Sequence, residues 1–167
     1  EVELMKSQKI LNNCIENLNI KLQYYSEGDI LTRDLYSRSP FEFEQFELKN
    51  NNLISEKLYV TFENDYFSII SEDKKLVYAS FIQENKFFSN ENFTGKLNVL
   101  SDNESFEKSL ESHKYYFIVP SKNQLRNEIA QNLDIKILDY SANTIDISYR
   151  HSNPIFAQDI CNEIAQS

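Results

Sequence analysis

The chain is poor in the residues that punctuate or cross-link small folds. Among 167 residues there are only two glycines, three prolines, two cysteines, one methionine and no tryptophan. So little glycine and proline excludes collagen-like, linker-like and low-complexity architectures. Neither glycine sits in a phosphate-cradling loop, so nucleotide motifs of the Gly-rich kind are missing. Two cysteines, Cys14 and Cys161, are too few for a disulfide scaffold or a zinc site. No uninterrupted apolar run reaches the roughly 18 residues that a membrane-spanning helix needs. Basic residues are also short. Lys and Arg number 17 against 26 Asp and Glu, a net charge of −9. Nucleic-acid binding needs a basic stripe to release counterions, and an anionic membrane surface would repel this chain. What remains is ordinary globular material, 41% hydrophobic, with ten tyrosines and twelve phenylalanines that lean toward strands. The length suits one domain or one and a half, and the chain is read as a single domain, 1–167.

The C-terminal third carries the clearest local signals. Tyr115–Val119 is a continuous run of aromatic and β-branched residues, the pattern of a buried strand, and Pro120 ends it. Ser121 stands three residues before Gln124, a capping-box spacing. Leu125, Ile129 and Leu133 then recur at helical spacing, which predicts a helix over Ser121–Leu133. Strands are expected over Ile135–Leu138 and Thr144–Tyr149, separated by the turn-rich 139–143. In the second strand Ile145, Ile147 and Tyr149 point one way, and Ile147 is expected to be buried. Asn153 is placed to cap a final helix, with Pro154 at its first position, and Ala157, Ile160, Cys161 and Ile164 form its apolar stripe.

At the other end, Glu1–Leu18 reads as one amphipathic helix with Leu4, Leu11, Cys14, Ile15 and Leu18 on one face. Ile20–Tyr25 alternates as a half-buried strand, residues 26–29 read as a turn, and Ile30–Tyr36 as a short helix or irregular crossing. From Phe41 the pattern becomes β. Phe41 and Phe43, then Phe46 and Leu48, change parity within one run, which predicts a bulge. Strands follow at Leu58–Phe62, Tyr66–Ile70, Leu76–Phe81 and Lys96–Leu100, with Phe87-Phe88 and Phe93 leading into the last. Asn64-Asp65 and Glu72-Asp73 are the hairpin signals between them. This spacing predicts an antiparallel meander. Ser101–Ser112 is an acidic loop or short helix. The class expected is therefore α+β, with two ends, 1–40 and 113–167, forming the core and 41–112 as a β-rich insert.

Nothing assembles an obvious active site, and no catalytic, cofactor-binding or metal-binding residue is assigned. His113 and His151 are the only imidazoles, each beside an element end, and a lone loop histidine is ordinarily a solvated side chain. Glycosidases need two carboxylates across a sugar. Glu42, Glu44, Glu63 and Asp65 are the candidates, and alternation with phenylalanine reads better as the solvated face of a sheet. The pairs Tyr24-Tyr25, Phe87-Phe88 and Tyr115-Tyr116 have the chemistry to stack on sugars, or simply to pack a core on one side and cover an edge on the other. Cys14 and Cys161 lie on the apolar stripes of their helices, where a free cysteine acts as a small hydrophobe. Triplets of glycosylation form at Asn92 and Asn103 arise readily by chance in an Asn-rich chain.

The run IDISYRHSNPIFAQDICNEIAQ resembles the end of the periplasmic base domain of chain-length determinants, the polysaccharide co-polymerases (Wzz-type domains). There a strand is followed by Asn-Pro or Asp-Pro and a helix rich in Ala, Ile and Asn. The segment LMKSQKILNNCIENLNIKLQYYSEGDILTRDLYSRSPFEF resembles the first helix and following strand of the same domain in relatives with a cytoplasmic tyrosine autokinase. Leu35–Phe41 and Tyr115–Val119 are similar to the version found in Bacteroides-like bacteria. The resemblance implies an α/β sandwich base domain: helix, strand, then strand-helix-strand-strand-helix, with the meander inserted. It further implies transmembrane helices outside these residues and a final helix that continues into a long extension. A parent protein of that kind sits in the inner membrane with this domain on the periplasmic side, and forms a homo-oligomer. It works with a polysaccharide polymerase or export machinery, and with the growing glycan, to set the chain length of capsule or exopolysaccharide. This chain would have no catalysis or cofactor of its own. A periplasmic setting would also permit a Cys14–Cys161 bridge. Two rival readings are a carbohydrate-binding β module with flanking helices, of a surface or periplasmic protein, and the glycosidase above.

Overall fold

The computed structural model describes residues 2–63, 66–82, 87–100, 113–139, 141 and 144–167. The architecture is mixed α+β with mostly antiparallel sheets, and it divides into two compact units. One comprises residues 1–20 and 121–167, the other residues 21–120.

The first unit is helical with one hairpin. The expected single N-terminal helix is two: a one-turn α1, Val2–Met5, and α2, Gln8–Asn17. The break comes from Ser7, whose Oγ accepts from the Ile10 N–H and so starts a new helix. Leu4 is left largely exposed, while Leu11, Cys14 and Ile15 are buried. Next come α3, Lys122–Asn132, and α4, Pro154–Gln166, around a hairpin of β10, Leu133–Asp139, and β11, Thr144–Tyr149. Ser121 caps α3 through Gln124 N–H, as its spacing predicts. No loop separates α3 from β10: the chain leaves the helix at Leu133, whose N–H still reaches Ile129 O. Of the expected turn after β10, Tyr140, Ala142 and Asn143 lie outside the described residues.

Packing in this unit follows the periodicity. α2 packs against α3 and α4, and α4 against β11. Asn153 Oδ1 accepts from the N–H groups of Ile155 and Phe156, and Pro154 opens the helix. The stripe of α4 is Phe156, Ile160 and Ile164, each at most 2% exposed, with Ala157 and Cys161 at its half-buried margin. Polar contacts rim the helices: Asn17 Nδ2 donates to Glu163 Oε1 at 2.6 Å, and Lys122 Nζ meets Glu16 Oε1 at 3.1 Å. In the hairpin Ile147 lies opposite Ile135. Ile135 is buried, but Ile147, expected to be buried as well, is half-buried.

Among its described residues, which do not include 101–112, the second unit is all β apart from two short 3-10 turns. A six-stranded antiparallel sheet runs in the order β2-β1-β9-β4-β5-β6, and a three-stranded one in the order β3-β8-β7. The strands of the first are β1, Gln23–Glu27; β2, Thr32–Asp34; β4, Leu58–Glu63; β5, Tyr66–Ser71; β6, Leu76–Phe81; and β9, Lys114–Ile118. Those of the second are β3, Phe41–Leu48; β7, Phe87–Ser89; and β8, Phe93–Val99. Residues 26 and 27, expected in a turn, extend β1. The turn comes one step later, closed by the Gly28 N–H donating to Leu31 O at 3.0 Å. The stretch 30–36 contributes β2 rather than a helix, and a 3-10 turn forms at Tyr36–Arg38. β9 sits between β1 and β4, bonded to both, although β1 and β9 were grouped by sequence with the helical ends. Its residues 115–117 are buried on both faces, which suits a central strand.

The predicted bulge is present. The register of β3 on β8 shifts between Glu44 and Glu47, and Gln45 takes a positive φ of 49°. That extra residue lets Phe41, Phe43 and Phe46 all face inward. They meet Phe67, Phe88, Phe93, Phe117, Leu58, Val60 and Ile69 in one core drawn from both sheets. The rings cross mostly edge-on or tilted; Phe43 and Phe117 are 4.9 Å apart at 59°. Gly95 in β8 is where this packing approaches the backbone. A Cβ there would stand 3.1 Å from Phe88 Cζ and 3.4 Å from Phe46 Cδ2.

Candidate functional site

Strand alternation splits each tyrosine dyad of the six-stranded sheet. In β1 Tyr24 turns inward and its Oη accepts from the Phe43 N–H at 2.8 Å, while Tyr25 turns outward. In β9 Tyr115 packs edge-on against Phe41 and belongs to the core. Tyr116 takes the opposite face. There it lies directly across from Tyr25 on one side and Tyr59 of β4 on the other. The three side chains form a row across three neighbouring strands. Tyr25 and Tyr116 stack at 5.0 Å and 15°, and Tyr59 tilts against Tyr116 at 5.3 Å.

Charge surrounds this row. Lys57 Nζ lies 5.3 Å from the Tyr116 ring centroid and 3.5 Å from Glu72 Oε1, so one ammonium serves a ring and a carboxylate. The Tyr59 hydroxyl donates to Glu27 Oε2 at 2.9 Å. Burial, that hydrogen bond and the charges of Glu27 and Glu72 push the Tyr59 hydroxyl up to about 12. Tyr116 is raised in the same direction, by burial first and then by Glu27, Glu72 and Asp34. Both phenols therefore remain neutral at physiological pH, as donors rather than anions.

Beside Tyr59 the surface sinks into a concavity of about 430 Å³. Tyr59, Thr61, Ile70, Glu72, Lys74, His113 and Lys114 are among the residues that line it. That volume falls within the range of about 300–1,000 Å³ typical of small-ligand sites. A second concavity, about 660 Å³, opens by Asn52, Leu53, Glu56 and Asp73, and no aromatic residue lines it. Tyrosine ring, hydroxyl, lysine and carboxylate together in the first one offer stacking and both senses of hydrogen bond.

The residues singled out by sequence scatter. His113 lines the concavity, with its ring over Gly28: a Cβ on Gly28 would be 3.4 Å from His113 Cδ2. His151 is not a solvated loop side chain. Its Nδ1 accepts from the Asn153 N–H at 3.1 Å, and its ring packs between Tyr149 and Phe156, so it belongs to the start of α4. Glu42 and Glu44 share a sheet with Lys96, which holds Glu44 at 3.2 Å. Glu63 ends β4 in the other sheet, and Asp65 lies outside the described residues, as does Asn103. Phe88 is buried and Phe87 is 54% exposed. Cys14 and Cys161 are free thiols. Burial above all, with Glu163 and Cys161 adding to it, pushes Cys14 up to about 12, and Cys161 is raised too.

Sequence reasoning missed Tyr59, Lys57, Lys74 and Lys114. A signal for the first existed: Tyr59 is the aromatic residue between inward Leu58 and Val60, on the outward parity of its strand. Among the described residues no group of three or more His, Cys, Asp or Glu is placed to hold a metal ion. No described helix is long and apolar enough to cross a membrane. No protein-family model matches the chain, and no curated protein sequence matches it, so the functional reading rests on these residues and their geometry.

Proposed function

We propose that this chain is the non-catalytic periplasmic domain of an inner-membrane polysaccharide co-polymerase, a regulator of the chain length and export of capsular or exopolysaccharide. The observation that carries this reading is the Asn153-capped, Pro154-initiated helix α4 seated on β11 and α2. The run that resembles the end of the base domain forms the strand, cap and helix that the resemblance implies. In the finer form of this reading the fold is the family's α/β sandwich with an inserted β meander. Its work is geometric: subunits of a homo-oligomer are held in register, and a surface is offered to the polymerase or to the growing glycan. In the autokinase version a cytoplasmic protein-tyrosine kinase domain follows in the parent protein. The test is genetic and biochemical. Deleting the gene in its own bacterium should broaden or shift the length distribution of the exported polysaccharide, with rescue by the intact gene. An unchanged distribution would overturn the proposal.

One observation favours the second reading, a carbohydrate-binding β module. The tyrosine row and its adjoining concavity lie wholly within residues 21–120. On that reading the isolated chain binds glycan by itself.

A further inference from the structure

We infer that the concavity beside Tyr59 binds an acidic saccharide, one that carries a carboxylate on its sugar ring. This deepens the glycan-contact part of the proposed function and rests on it. Three features of the lining point there. Tyr59 supplies an aromatic wall, and its hydroxyl is already fixed on Glu27 at 2.9 Å, so the ring is held in place before any ligand arrives. An aromatic wall suits the apolar C–H face of a sugar, and holding it in advance lowers the ordering cost of binding. Thr61, exposed at the rim, adds a hydroxyl that donates and accepts.

Charge supplies the selectivity. The chain as a whole carries −9, yet Lys74 and Lys114 both line this hollow, and neither makes an ion pair within 4 Å among the described residues. Two of the described carboxylates nearby are already engaged. Glu72 faces Lys57 at 3.5 Å, and Glu27, which lies across the strand pair from Lys114, accepts the Tyr59 hydroxyl. Two ammonium groups without an ion pair among the described residues, at a concave spot of a chain with net charge −9, form a local well for an anion. Lys74 is held there by the β5–β6 turn. Its φ is 63°, and its N–H donates to Ser71 O at 2.9 Å. Lys114 is held by the β1 and β9 ladder. Their backbone positions are therefore set by the fold, and only the side chains need to order on binding. A neutral sugar would use the ring and the hydroxyls but leave both ammonium groups in water. A uronate engages them as well. The larger concavity has Glu56, Glu72 and Asp73 against Lys75, and no aromatic wall, so it lacks both features.

The experiment compares two forms of one ligand. A defined oligogalacturonate and its fully methyl-esterified, neutral counterpart are titrated into the full chain, with binding read by amide chemical shifts. The acid form is expected to bind at least ~10-fold more tightly at low salt, and to weaken as salt screens the lysines. Lys74→Gln and Lys114→Gln should each lower affinity for the acid form by about 2–5-fold and leave the ester unchanged, the size expected of an exposed charge pair. Tyr59→Ala should weaken both forms, with thermal unfolding run alongside to show that the fold survives. Lys136→Gln, in the other unit, should change nothing. Equal binding of acid and ester would overturn the selectivity for acid while leaving glycan contact standing. Binding of neither form would overturn this inference, and the chain-length reading would still be decided by the deletion strain. Shifts that cluster away from β4, β5 and β9 would refute the location.

Discussion

Phe41 is the ring on which the two sheets of the β unit close, and its truncation is the sharpest test of that packing. It comes from β3, yet three of its ring partners belong to the other sheet: Tyr24 at 5.7 Å, Phe62 at 5.4 Å and Tyr115 at 6.1 Å. Phe43 stands 5.9 Å away on its own strand. The side chain is 0% exposed. Truncating a buried phenylalanine to alanine costs about 3–5 kcal/mol, and the figure rises when the walls cannot collapse. Here the walls are strands held in hydrogen-bonded ladders on both sides, and the edge-on ring contacts add about 0.5–1.5 kcal/mol per pair. The upper part of the range follows, about 4–5 kcal/mol. Phe41→Leu fills most of the volume and loses chiefly the four ring contacts, for about 2–3 kcal/mol. Urea unfolding by circular dichroism and tyrosine emission measures both, since the chain has no tryptophan. With a slope of about 2 kcal/mol per M, the alanine variant should lose about 2 M in its midpoint. Where the alanine variant fails to fold, the leucine variant carries the test. Ile30→Ala is the control: that side chain is 93% exposed, so the change should stay within about 0.5 kcal/mol. A loss below about 1 kcal/mol for Phe41→Ala would refute the account of the core.

Four other outcomes are expected. Gly95→Ala should destabilise by about 1–3 kcal/mol through overpacking, because Phe88, itself locked among rings, cannot withdraw; a more stable variant in the same urea assay would count against this. Asn153→Ala should cost about 0.5–2 kcal/mol by uncapping α4, and Asn153→Asp should retain most of the cap, both read by thermal unfolding. Ile135→Asp should cost more than Ile147→Asp, since only the first is fully buried; equal losses would place Ile147 in the core after all. Stability should fall as pH rises from about 9 toward 12. The Cys14 thiol has an ordinary value of 9.0 and is pushed up to about 12, so the unfolded chain ionises first and is favoured over that window; Cys14→Ala should flatten the slope.

Much of the fold was legible because its determinants are local. The parity change between Phe43 and Phe46 announced the bulge in β3, and the Asn-Pro pair announced the start of α4. The Tyr115–Val119 run announced a strand covered on both faces. What was hidden is long-range. Nothing in residues 20–36 or 114–119 shows that β1 and β9 pair with each other and with β4, because pairing partners are chosen by cross-strand fit between distant segments. The break after Met5 was missed because apolar spacing continues through it, and only the Ser7 hydroxyl marks the restart. His151 looked like a loop residue because its partner, the Asn153 N–H, is a backbone group and leaves no trace in side-chain pattern.

The tyrosine row was hidden for the same reason, and it bears directly on function. Each dyad, Tyr24-Tyr25 or Tyr115-Tyr116, must put one ring on each face of its strand, so the sequence shows that an outward ring exists at each. Whether two outward rings meet depends on register alone, and slipping β1 by one residue on β9 would turn Tyr25 inward and Tyr24 out. The observed register instead aligns Tyr25, Tyr116 and Tyr59 and presents an amphipathic row where a soluble sheet face more commonly carries short polar side chains. Part of that row is explained without a ligand: Tyr116 is only 5% exposed, so its neighbours cover it as a second small core. Tyr59 is not explained that way. It ends the row, lines the concavity and fixes its hydroxyl on Glu27, while Leu58 and Val60 on either side of it already anchor β4 to the core. Tyr59→Phe therefore separates the two roles. It keeps the ring and removes only the bond to Glu27, so a packing role predicts little loss of stability, while the binding role predicts weaker glycan affinity as the ring loses its fixed position and Glu27 is freed to compete for Lys114.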